Sequence, residues 1–205
     1  RFGAVPYISS TLRMEDELLF SARTPREIIT DSIYADLDFA ALHCPDPREQ
    51  PVTEYGRISA SAALAFKSRV ALFAGTWNKF HHENEYTRHL QVAVDASDAL
   101  ITDGFHNLFT YPADPAKSYY YLFQYAGEGK GNRENILVRL YGQNQSNNIS
   151  AHSYVRSSLE QGNISPAKSF MDACLYIDGL PQGRSDFDSA SLQTSSLTEF
   201  RNRDP

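Results

Sequence analysis

The chain has 205 residues, of which 41% are hydrophobic and 21% charged, and a formal net charge of -6. That balance supports a packed core of ordinary domain size and argues against a phosphate backbone as partner, so nucleic acid is not expected. Cys44 and Cys174 form no CxxC pair, which leaves no zinc or redox motif, and no apolar run reaches the ~18 residues of a membrane span.

Residues 24–42, TPREIITDSIYADLDFAAL, predict a first helix. Thr24 and Glu27 have capping-box spacing, and Pro25 suits the first helical position. Ile29, Ile33, Leu37 and Ala40 fall on one face. The prolines of HCPDPREQP end it.

Residues 56–80, GRISASAALAFKSRVALFAGTWNKF, predict a second helix with Ser59 as N-cap. Its expected core stripe is Ile58, Ala62, Phe66, Val70, Phe73, Trp77 and Phe80. Ala63, Ala71, Ala74 and Gly75 keep neighbouring faces small enough for another backbone to approach. The reading is a helix packed on two sides. Lys67 and Arg69 then reach water along their stems or pair with carboxylates of adjacent helices. A third helix follows from Asn84 to Thr102, on Tyr86, Leu90, Ala93, Ser97 and Leu100, and Asp103-Gly104 stops it. The short HHEN link makes the second and third helices an antiparallel αα-hairpin. The first two helices start about one tetratricopeptide period apart, ~34 residues. The expected fold is therefore mainly α, with tetratricopeptide-like hairpins over residues 1–103 and a loop-rich, irregular ligand-binding part over 104–205.

The second half begins with the aromatic stretch FHNLFTYPADPAKSYYYLFQYAG. GEGKGNREN lacks Walker spacing and reads as a loop. NILVRLYG predicts a short strand, and SPAKSFMDACLY a short helix. The ends, RFGAVPY and FRNRDP, read as cuts through a longer chain.

No nucleophile elbow, P-loop or dinucleotide motif occurs. The expectation is no catalytic residue, no metal ligand set and no cofactor. His81, His82, Glu83 and Glu85 lack the i, i+4 spacing of a zinc helix and read as polar turn residues. Asp178, Asp186 and Asp188, set among Gly and Ser, read as turn formers. Trp77 and Tyr119–Tyr121 read as packing residues, the tyrosines half-buried. The polar segment 143–163 differs in texture. It combines amides, a ring and a cation, the groups that grip sugar hydroxyls and stack on a sugar ring. Asn147, His152, Tyr154 and Arg156 are its candidate ligand-binding residues.

Five segments, in order, are similar to the SusD/RagB family. They are RFGAVPYI; MEDELLFSARTPREIITDSIYADLDFAA; GRISASAALAFKSRVALFAGTW; SPAKSFMDACLYIDGLP, where Pro166-Ala167 stands for the family's Pro-Thr; and FRNRDP. The resemblance implies a non-catalytic, surface-exposed outer-membrane lipoprotein that binds oligosaccharides and delivers them to a SusC-like TonB-dependent transporter. It implies a lipid anchor outside this chain and allows a structural calcium ion that no motif here supports. The alternative from the residues alone is a helical-repeat adaptor that binds a protein or peptide.

Overall fold

The computed structural model describes residues 3–81, 83–139, 157, 158, 160–188 and 198–203. The chain divides into two compact units, Arg1–Leu140 and Tyr141–Pro205. The change of texture near residue 104 thus lies inside the first unit.

Three long helices build that unit: α1 (Arg26–His43), α2 (Ala60–Phe80) and α3 (Tyr86–Asp103). Ser59 caps α2 as expected, its hydroxyl accepting from the Ala62 amide at 3.3 Å. Gly104, at φ 68°, closes α3 in the left-handed region that glycine tolerates. The capping box expected at α1 does not form. The Thr24 hydroxyl accepts from the Tyr7 amide, and Thr24 pairs across an antiparallel bridge with Val5. Glu27 is drawn instead toward His89 and Asn78 on the neighbouring helices.

Helices α2 and α3 run antiparallel. Ser68 bonds to Ser97 and to the Ala93 carbonyl, while at the other end Asn78 reaches the Asn84 carbonyl. Between them Gly75 brings the backbones together: a Cβ there would lie 2.8 Å from the Leu90 side chain and 3.1 Å from its backbone nitrogen. Lys67 to Asp38 and Arg26 to Asn78 set α1 antiparallel to α2 in turn.

The core of this stack is made of small residues. Ala62, Ala63, Ala71, Ala74, Ala93 and Ala96 are buried, with Tyr34 the largest apolar side chain among them. Each alanine contributes little more than one methyl, ~0.8 kcal/mol by area, so the hairpin depends on close approach. The stripe expected to form the core of α2 is not buried. Phe66, Phe73, Trp77 and Phe80 are 56%, 48%, 37% and 75% exposed, and Ile58 is exposed too. Only Ala62 of that stripe is fully covered, with Val70 half-buried. The alanine face, which lets a helix come closer, faces α1 and α3. Lys67 pairs with Asp38 as expected, whereas Arg69 is exposed and has no ion pair among the described residues.

Beyond Gly104 the first unit continues in loops, with one short helix, α4 (Ser118–Leu122). The described part of NILVRLYG, residues 135–139, is not a strand: Asn135 is tied by its side chain to the Gly127 carbonyl rather than through a ladder. The second unit carries α5 (Lys168–Asp172) and is organised around Tyr176, which is fully buried. Arg203 lies over the Tyr176 ring at 4.1 Å and donates to the carbonyls of Cys174 and Asp172. Tyr176 and Arg203 also form an antiparallel bridge. This clasp gives Arg203 a structural job. Asp178 and Asp188 hold turns, as expected, by accepting from Leu180, Ser185, Gly183 and Tyr176. Cys44 and Cys174 are both free thiols.

Candidate functional site

A buried, hydrogen-bonded polar cluster lies between the helices. His89 is completely buried; its Nε2 is 2.7 Å from Glu27 Oε2 and its Nδ1 is 2.8 Å from the Tyr34 hydroxyl. A carboxylate can only accept, so in the neutral ring Nε2 carries the hydrogen and Nδ1 accepts from Tyr34. Burial raises the Glu27 pKa, but hydrogen bonds from Asn78 and His89, with nearby positive charge, outweigh it and leave the carboxyl below its ordinary 4.5. Burial pushes the Tyr34 hydroxyl up to about 12. Asn78, also fully buried, accepts from Arg26 and donates to Glu27. Arg88 adds contacts to Asp31, Glu85 and Glu27, and Arg26 pairs with Glu83. The charges here are met by partners from another helix or turn, and His89 itself has no exposed surface. The arrangement pins three helices together.

The turn residues His81, Glu83 and Glu85 belong to the same frame. His81 stacks on Trp77 with ring centres 4.0 Å apart, and the two glutamates pair with arginines. Among the described residues no group of three His, Cys, Asp or Glu side chains is placed to hold a metal ion. Among them, too, no helix is long and apolar enough to cross a membrane.

Two surfaces of the first unit are built differently. The first is an aromatic platform at α4. Tyr121 stacks on Tyr111, with centres 3.8 Å apart and planes 26° apart. Tyr119, Tyr120 and Phe123 stand outward, 64%, 61% and 69% exposed. Tyr119 and Tyr120 are therefore not the half-buried packing residues expected; a helix of five residues cannot fold both under itself. Flat rings held edge to face, Tyr119 against Phe123 and Tyr120 against Tyr121, offer apolar faces beside phenolic hydroxyls.

The second is a cleft of about 410 Å³ lined by Arg48, Gly104, Phe105, Lys130, Gly131 and Arg133. Two guanidinium groups stand over the Phe105 ring, Arg48 at 5.0 Å and Arg133 at 5.3 Å from its centre. Arg48 is held by Asp103 and Asp46, and its hydrogen bond keeps the Asp103 carboxyl below its ordinary 3.8. Lys130 donates to the backbone carbonyls of Arg48 and Gln50. The GEGKGNREN loop that carries Lys130 is a loop, as expected. Asn132 shapes it, donating to the Gly127 carbonyl at 2.7 Å and accepting from the Glu134 amide at 2.9 Å. His106 donates from Nδ1 to the Arg133 carbonyl at 2.8 Å, which fixes the backbone beneath that guanidinium.

Asn147, His152, Tyr154 and Arg156 lie outside the described residues. No signal short of the folded chain points to the cleft, whose residues come from three separate loops.

No family model and no curated protein matches the sequence. Solved structures do. The chain is similar to a SusD-like protein of Bacteroides fragilis NCTC 9343, with 22% identity and a TM-score of 0.60, over 93% of this chain and 34% of that one. It is also similar to a SusD-like carbohydrate binding protein of the same organism, with 23% identity and a TM-score of 0.66, over 98% of this chain and 34% of that one. The chain thus spans about a third of the length of these structures. Its fold is SusD-like and mainly helical.

Proposed function

We propose that the protein is a non-catalytic glycan-binding protein of the outer-membrane surface. It holds oligosaccharides and delivers them to a SusC-like TonB-dependent transporter, anchored by a lipid outside this chain. The observation that carries the reading is the outward-facing aromatic platform Tyr119, Tyr120 and Phe123 on a SusD-like fold. One of the similar structures is described as a carbohydrate binding protein, which agrees with it. Ring faces stack on the C–H surface of a sugar at low entropic cost, since each ring is already fixed by a neighbour. Asn147, His152, Tyr154 and Arg156, in the second unit, are proposed separately as ligand-binding residues.

The test is calorimetric titration of the full-length protein with a panel of oligosaccharides. The Tyr119→Ala/Tyr120→Ala double variant is expected to weaken binding about tenfold or more, from the loss of two stacking rings at ~1 kcal/mol each, with an unchanged melting temperature. Tyr154→Ala is expected to act in the same direction. Absence of binding across the panel, or full affinity in every variant, would overturn the reading and bring forward the helical-repeat adaptor.

A further inference from the structure

The cleft at Phe105 is cationic in a protein whose formal charge is -6. None of its lining residues is a carboxylate. Arg48 is compensated by Asp103 and Asp46. Lys130 is different: among the described residues its ammonium meets only neutral carbonyls, so no described carboxylate cancels the positive charge they hold in place. Among the described residues the Arg133 guanidinium makes no ion pair or hydrogen bond and rests on the Phe105 ring. Stacking on a ring leaves the donors at the edge of a guanidinium open to an acceptor in the ring plane. Two cations on one wall without a carboxylate partner among the described residues, one of them with an open planar fork, match the geometry of carboxylate or sulfate recognition. The Phe105 ring beside them, and a volume within the ~300–1,000 Å³ usual for ligand clefts, leave room for the sugar that carries such a group.

We propose that this cleft binds the anionic substituent of an acidic oligosaccharide, a uronate carboxylate or a sugar sulfate, with Arg133 as the bidentate contact and Lys130 as a fixed charge. The inference deepens the glycan-binding reading and rests on it. It makes the ligand class acidic rather than neutral.

The full-length protein is titrated with galacturonate tetrasaccharide, a heparin-derived tetrasaccharide, maltotetraose and inorganic polyphosphate, at ~50 and ~300 mM salt, which brackets the change in screening length. At least one acidic sugar is expected to bind about tenfold tighter than maltotetraose, the scale of one charge-assisted contact, and to weaken with salt. Whether the uronate or the sulfated sugar binds identifies the anion. Arg133→Gln is expected to remove that preference and Arg133→Lys to retain part of it, both with unchanged melting temperature, because among the described residues the Arg133 side chain makes no hydrogen bond and only rests on the Phe105 ring. Maltotetraose binding as tightly as the acidic sugars overturns the inference and leaves the glycan reading standing. So does an Arg133→Gln variant with full acidic-sugar affinity. Polyphosphate binding as tightly as the sugars also overturns it, as unspecific charge attraction. If no sugar binds, both readings fall.

Discussion

The helical stack and the loops after Gly104 use the same residue types in opposite ways. Between α1, α2 and α3, Arg26, Arg88, Glu27, His89 and Asn78 are bonded to one another across elements. In the loops, Arg133 and Lys130 are held in position, and no carboxylate among the described residues pairs with either. The aromatics divide likewise: Tyr34 is buried with its hydroxyl bonded to His89, while Tyr119 and Tyr120 face outward. A polar group whose partners lie inside the fold stabilises it. A polar group held rigid with its bonding capacity open is suited to binding something else.

Variants can break this contrast. The largest loss of stability is expected for His89→Ala. It empties a fully buried site, leaves the Tyr34 hydroxyl without its partner and takes one hydrogen bond from Glu27, which keeps Asn78 and Arg88, a cost of about 3 kcal/mol, read in chemical denaturation. Gly75→Val comes next. Its Cβ meets Leu90 at 2.8 Å, and overpacking of about 2–3 kcal/mol exceeds any gain in helix propensity. Acid acts more gently. The folded Glu27 pKa lies below 4.5, so its contribution is fully present above the unfolded value and is lost as pH falls through the folded one. The melting temperature should begin to decline just below pH 4.5, and Glu27→Gln should flatten that decline. Arg133→Gln marks the other end of the comparison, with a stability change within about 0.5 kcal/mol. A loss of stability there as large as that of His89→Ala would erase the distinction between the two regions.

The sequence showed the helices well and their facing poorly. Ser59, Gly104 and the α3 face around Ala93 and Ser97 were legible because local chemistry fixes caps and periodicity. The burial of α2 was not. Its aromatic stripe and its alanine face share one period, and only the neighbours decide which turns inward; at Gly75 and Leu90 close approach favours the small side. The capping box at Thr24 failed for a similar reason: Glu27 gains more from His89 and Asn78 than from a backbone amide. The cleft left no sequence trace at all, since Arg48, Phe105 and Lys130 meet only through chain reversal. The platform at Tyr119 was visible as composition, and its exposure follows from the shortness of α4.

The outward side of α2 also makes the protein its own optical reporter. Trp77 is the only tryptophan in the chain, and it stands on that side between Phe73 and His81, with Arg26 over its ring. A cation and an imidazole in contact with an indole alter its emission, so the colour and intensity of intrinsic fluorescence register any molecule that covers this face, without a label. A sugar in the Phe105 cleft touches none of these groups, and the same signal should stay silent when it binds.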